Sequence, residues 1–149
     1  MYLLDSNVYI RAFRDLAFGR ELQEFHRREL PRVVVSAIVA SAVLVGAQSP
    51  RRARAVRVTL IEPFRARRRF IVPGWSTWVL ATAIDRRLRA RPTTRRRLAE
   101  RSFFQDILIA ASARELGATI ITLNTADFGL IGRHLDITFV EPWPRLVAA

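Results

Sequence analysis

Residues 103–123 read FFQDILIAASARELGATIITL, a helix, a stop and a strand in direct succession. The first fourteen, 103–116, form the strongest helical segment of the chain, and Gly117 supplies the residue that ends it. ATIITL (118–123) follows as a strand. The same alternation extends in both directions. YLLD (2–5) reads as a buried strand ending at an acid, and ELQEFHRREL (21–30) as a helix with Leu22, Phe25 and Leu30 at helical spacing, stopped by Pro31. VVVS (33–36) is a β-branched strand, Ser36–Ala47 an alanine-rich helix, and Ser49-Pro50 the start of another. FIV (70–72) is a short strand bounded by Pro73-Gly74. Residues 75–88 form an amphipathic helix with Trp75, Trp78, Val79 and Ala83 on one side, and Arg-Pro-Thr-Thr (91–94) breaks it. NTADFG (124–129) reads as a turn or loop, and DITFVEP (136–142) supplies the last strand. Strand–helix alternation of this kind predicts an α/β sandwich around a mostly parallel sheet of four to five strands. With 149 residues and no linker, repeat or low-complexity segment, the expectation is a single domain over 1–149.

Composition removes several kinds of chemistry. There is no cysteine, which excludes disulfides, thiolate zinc sites and cysteine nucleophiles. All 25 basic residues are arginine, so neither a Walker-type GK[ST] loop nor Schiff-base chemistry is possible. Two histidines, His26 and His134, are too few for a histidine-based metal cluster and are expected to be surface or packing residues. The N-terminal MYLLDSNVYI lacks the pattern of a signal peptide, and the uncharged run 33–47 falls short of the roughly 20 apolar residues a bilayer requires. The chain is therefore expected in the cytoplasm, with no membrane partner.

Charge is concentrated in one third of the molecule. Residues 51–101 hold 16 arginines and three acids, a balance of +13, whereas the rest carries nine arginines and ten acids. Solvated helix faces account for part of this excess. Arginine in such density also forks onto phosphate, and the field attracts nucleic acid. An anionic membrane surface or an acidic protein would draw on the same field.

Ligands of a parallel α/β sheet sit beyond the carboxyl ends of its strands. Asp5 follows the first strand, Asp127 lies a few residues past ATIITL, and Asp106 falls in the first turns of the strongest helix. Asp5 could cap a helix starting near Asn7, and Asp127 could cap a turn beginning at Phe128. Asp106 has less to do structurally, because Ser102 and Gln105 already have capping-box spacing. Carboxylates brought together repel and lose solvation, so they converge mainly where a hard divalent cation holds them.

LLDSNVYI (3–10) and FFQDILIAASARELGATIITLNTADF (103–128) resemble the first and the later motifs of PIN domains, most closely the VapC-type toxins of bacterial toxin–antitoxin pairs. The resemblance implies a PIN-like three-layer sandwich and a Mg²⁺- or Mn²⁺-dependent endoribonuclease that hydrolyses RNA. It implies Asp5, Asp106 and Asp127 as the catalytic, metal-holding acids, with Ser6 and Asn124 as polar neighbours. It also implies a homodimer and a cognate antitoxin whose tail crosses the acidic cleft. Trp75 and Trp78 are expected as core or dimer contacts rather than base-stacking platforms.

One position departs from the pattern. The segment that in these toxins resembles S-x-I-x-x-x-E-L-x-x-G here reads SAIVASAVLVG (36–46), with Val43 for the leucine and Ala42 where the glutamate belongs. Residues 30–61 contain neither Asp nor Glu to stand in for it. A naturally degenerate site and a glutamate replaced to make a toxic protein tolerable are both open. The alternative to a nuclease is accordingly a catalytically inactive PIN domain that binds RNA or an antitoxin.

Overall fold

The backbone ladder begins at the N-terminus. In a computed structural model, which describes residues 1–94 and 101–144, β1 (Tyr2–Leu4) lies between β2 (Val33–Ser36) and β4 (Thr119–Ile121). With β3 (Phe70–Ile71) and β5 (Thr138–Val140) the strand order is β3-β2-β1-β4-β5, and every pairing is parallel. The expected sheet is thus five strands and parallel throughout. Its central strands are apolar on both faces: Leu3, Leu4, Val33, Val35, Ile120 and Ile121 are fully buried.

Among the described residues, eight α-helices complete the sandwich: α1 (Ser6–Arg14), α2 (Leu16–Glu29), α3 (Ala37–Gly46), α4 (Pro50–Val56), α5 (Glu62–Ala66), α6 (Trp75–Arg89), α7 (Arg101–Leu116) and α8 (Thr125–Ile131). Chain progression runs outward from β1 to β3, then jumps back to β4 and β5. Because crossovers between parallel strands are right-handed, that reversal places α1–α5 on one face and α6–α8 on the other. The contacts agree, with α1 against α2 and α3, and α7 against α6 and α8. The reversal point lies between β1 and β4, the position at which such sheets open a crevice.

Local chemistry sets the boundaries. Asp15 accepts from Ala17 N and Phe18 N and so starts α2 at Leu16, five residues before the expected segment. Ser36 caps α3 and Ser49 caps α4, with Pro50 at the first helical position. Residues 33–47 are therefore a strand and a ten-residue helix, and no helix among the described residues is long and apolar enough to cross a membrane. Between α4 and α5 the coil widens into a π-turn over Arg57–Ile61. Pro63 explains it: its ring has no N–H and would collide with the carbonyl four residues back, so the extra residue gives it room. Gly117, at φ 62°, ends α7 as expected.

Three expectations are corrected. NTADFG is not a loop, since Asn124 caps a helix that runs through it. Ser102 lies within α7 rather than before its first residue. The side of α6 carrying Trp75, Trp78, Val79 and Ala83 faces outward; the buried positions are Thr77, Ala81, Ile84 and Leu88. That inner face packs against α7, where Thr77 Oγ1 donates to Glu115 Oε2 at 2.5 Å.

Both histidines pack, as expected. His26 is set among Tyr9, Phe25 and Phe64. Burial pushes its pKa down to about 4. A depressed histidine stabilises the fold above its unfolded value, and that contribution is lost as pH falls toward the folded value. Between pH 6.5 and 4 the loss is expected to reach on the order of 3 kcal/mol. His26→Phe should flatten this component, seen as a smaller difference between denaturation midpoints at pH 7.5 and 4.5 than in the parent chain.

Candidate active site

The reversal point of the sheet is occupied by polar groups. Asp5 directly follows β1, and its backbone N–H continues the ladder to Ile121 O at 2.9 Å. The register therefore sets Asp5 beside Thr122, the residue that follows β4. Asp5 is 1% exposed. Its Oδ1 accepts from Ser6 N at 2.6 Å and Ser6 Oγ at 3.3 Å, and its Oδ2 accepts from Asn7 Nδ2 at 2.6 Å and Thr122 Oγ1 at 2.8 Å. Burial raises its pKa, and the four donors, Thr122 foremost, pull it partly back. Asp5 is thus the N-cap of α1 and a member of the polar cluster at once.

Thr122 and Asn7 are the residues that motif reading passed over. Thr122 is fully buried. Its hydroxyl donates to Asp5 and accepts from Asn7 Nδ2 at 3.2 Å and Asn124 N at 2.9 Å, using its full capacity. Asn7 Oδ1 in turn accepts from Leu123 N at 3.2 Å. A threonine closing an otherwise apolar buried strand was the signal available for Thr122. Asn7 stood in the LLDSN motif without an assigned role.

The network continues to the last acid. Asn124 caps α8, accepting from Asp127 N at 3.4 Å and donating Nδ2 to Asp127 Oδ2 at 2.7 Å. Asp127 therefore sits in the first turn of α8, where a carboxylate also meets the positive end of the helix dipole. The cap belongs to Asn124, not Asp127.

Asp106, in the second turn of α7, differs from both. Among the described residues its carboxylate receives no hydrogen bond. Burial raises its pKa to about 8, with the charges of Asp5 and Asp127 adding to the rise. The three expected acids thus lie within electrostatic reach of one another, at one edge of the sheet. They are not gathered into a finished cage: among the described residues no three His, Cys, Asp or Glu side chains stand at metal-holding distance. α3 packs against both α1 and α7, and half-buried Ala42 contributes no oxygen. The donor set nonetheless suits a hard cation. It is all oxygen, and a cation would offset both the burial and the like charges that raise the pKa of Asp106.

The arrangement can be set beside known proteins. The PIN domain family model matches residues 2–132. Among solved structures, DNA-bound VapBC from Salmonella typhimurium aligns over 94% of this chain and 96% of its own, with a TM-score of 0.67 at 18% identity. VapBC-1 from nontypeable Haemophilus influenzae aligns over 94% and 96% with a TM-score of 0.64 at 23% identity. FitAcB from Neisseria gonorrhoeae aligns over 96% and 99% with a TM-score of 0.63 at 21% identity. No curated protein sequence matches.

Asp106 is raised from its unfolded value, so its stabilising contribution is complete below about pH 4 and is lost as pH rises through about 8. Asp106→Asn should therefore unfold at a higher temperature than the parent in EDTA at pH 8, by roughly 2–4 °C per kcal/mol recovered. The parent should gain stability on adding Mg²⁺ or Mn²⁺, and the Asn variant should not. Identical divalent-ion responses of the two proteins in scanning calorimetry would remove Asp106 from the metal site.

Proposed function

The chain belongs to the PIN-domain family, and on that premise we propose that it is built as a metal-dependent endoribonuclease toxin, paired with an antitoxin. The observation that carries the reading is the trio at the sheet's reversal point, in which burial and then the charges of Asp5 and Asp127 raise the pKa of Asp106, a half-buried acid with no hydrogen bond among the described residues. Acids so placed weaken the metal-free fold, an arrangement that makes chemical sense around a cation. Assemblies that share the fold include VapBC and FitAB pairs and a toxin–antitoxin complex, which supports an antitoxin partner.

Asp5, Asp106 and Asp127 would hold Mg²⁺ or Mn²⁺. An ion held there would supply Lewis acidity toward water and toward a phosphate group. The chain's own residues do the positioning. Ser6 holds Oδ1 of Asp5 and Asn7 and Thr122 hold Oδ2, so its carboxylate is oriented in advance. Asn124 holds one oxygen of Asp127. Asp106 is the movable member, and it must release a proton before it can serve as a ligand. The arginines of 51–101 supply the field that holds the RNA backbone.

Ala42 favours a second reading, a PIN domain that binds RNA or its antitoxin without cutting. One missing carboxylate lowers metal affinity and frees any water it oriented. Loss of a well-placed catalytic group costs roughly 10²–10⁴-fold in rate. The parent chain is accordingly expected to fold, to cleave RNA slowly or not at all, and to be expressed without an antitoxin. Ala42→Glu should restore Mg²⁺-dependent cleavage by a similar factor and arrest growth on induction. A glutamate variant that folds, binds RNA and stays inert would replace the nuclease with the binding module.

A further inference from the structure

The outward side of α6 is the most unusual surface on the molecule. Trp75 is 81% exposed, and Trp78, Val79 and the preceding Val72 are 41%, 49% and 72% exposed. Isolated exposed apolar residues are ordinary, but a contiguous cluster with two indoles marks a contact surface. At 3.6 residues per turn, Trp75, Val79, Thr82 and Arg86 share one stripe, directly opposite the buried Thr77, Ala81, Ile84 and Leu88. Trp78, beside them, meets the ring of Phe104 at 6.2 Å, and Phe104 stands two residues before Asp106 on α7. Trp75 has no ring or hydrogen-bonding partner among the described residues.

The other half of the same helix is cationic. Arg86 and Arg87 are exposed, and the single acid of α6, Asp85, is held by Arg89 at 2.7 Å. The positive surface continues around the corner of the fold. His134 has a lowered pKa, first from burial and then from the charges of Arg91, Arg87 and Arg133. Because α6 follows a strand and runs back along the sheet, its tryptophan end lies at the edge that carries the acids. Its arginine end lies about 20 Å away, at the opposite edge.

We propose that the outward face of α6 is a docking surface for single-stranded RNA, with bases stacking on Trp75 and phosphates lying on Arg86 and Arg87. Aromatic side chains beside arginines are what such strands require, because every base has a π-face and every nucleotide a charge. A second copy of the chain fits less well, since it would bring together two middle thirds that each carry +13. A membrane surface fits less well also, since the opposite face of α6 is committed to the core and only four exposed apolar residues remain. The proposal rests on the RNA reading above and moves part of the binding away from the acids.

The test is fluorescence anisotropy with a labelled 12-nucleotide oligouridylate in EDTA, so that no cleavage occurs and the metal chemistry is not interrogated. Trp75→Ala should weaken binding roughly 5- to 150-fold, with an unchanged circular dichroism spectrum and unfolding temperature. Tryptophan quenching by the oligomer should shrink in the same variant. Replacing Arg86 and Arg87 together by Ser should reduce the slope of log affinity against log salt by about 1.4. Unchanged affinity in both variants overturns the proposal. So does a Trp75→Ala chain that turns from dimer to monomer in light scattering with RNA affinity intact, which assigns the face to a second copy. Binding to phosphatidylserine vesicles without binding to the oligomer overturns it as well. Failure here leaves the Ala42→Glu result free to stand, and an inert Ala42→Glu variant leaves this surface free to bind.

Discussion

The hydrogen bond from Thr122 to Asp5 holds the two halves of the molecule in register. It joins the end of β1 to the end of β4, across 117 residues of sequence, at the reversal point of the sheet. A carboxylate that is 1% exposed costs several kcal/mol to desolvate unless donors surround it. Hydrogen bonds to a charged group contribute about 1.5–3 kcal/mol each, and Asp5 has four donor contacts. Burial still outweighs them, so Asp5 remains harder to ionise than in water. The cluster survives because each member is needed by another. Thr122 has no spare capacity, Asn7 spans Asp5 and Leu123 N, and Asn124 links Thr122 to Asp127. A half-built network of this type would be worse than an apolar one.

From this constraint follows the contrast between Asp5 and Asp106. Two acids of the same type sit at the same edge of the sheet, one bonded on both oxygens and the other, among the described residues, on neither. The fold therefore fixes one carboxylate in place and leaves the other without a hydrogen bond among the described residues. Separation of pKa values within a cluster is a hallmark of sites that do chemistry, since one group stays charged while another can exchange a proton.

Legibility of the sequence tracked physical simplicity. Strands whose side chains are buried on both faces are written as uninterrupted apolar runs, so Leu3-Leu4, Val33–Val35 and Ile120-Ile121 were plain. Asp5 and Asp127 were found by placement after strands, Asp106 by its place in the strongest helix and all three by motif, and the structure brings them within electrostatic reach of one another. Asn7 and Thr122 were not found because their role is relational: a strand-end threonine acquires meaning only once β4 is known to lie beside β1. α6 was misread for a different reason. Its sequence carries two apolar stripes, and hydrophobicity alone chose the indoles, whereas packing against α7 selected the smaller side chains. α8 was hidden because Asn and Asp signal turns as readily as caps.

Ala42 draws these threads together. α3 is uncharged from end to end, with Val39, Ala40 and Val43 buried, so alanine at its half-buried position costs the helix nothing. A glutamate on that side of α3 would add a like charge near an acid already pushed to about 8 by burial and by two neighbouring charges. Every carboxylate added to such a site strengthens its hold on a cation and weakens the fold that lacks one. The fold as it stands keeps three acids and omits the fourth, which shifts the balance toward stability without metal. The α6 face has no part in that trade. Its indole and guanidinium groups lie outside the polar network, and arginine cannot give up its proton near neutral pH, so their affinity for a polyanion is independent of whether the acids are filled.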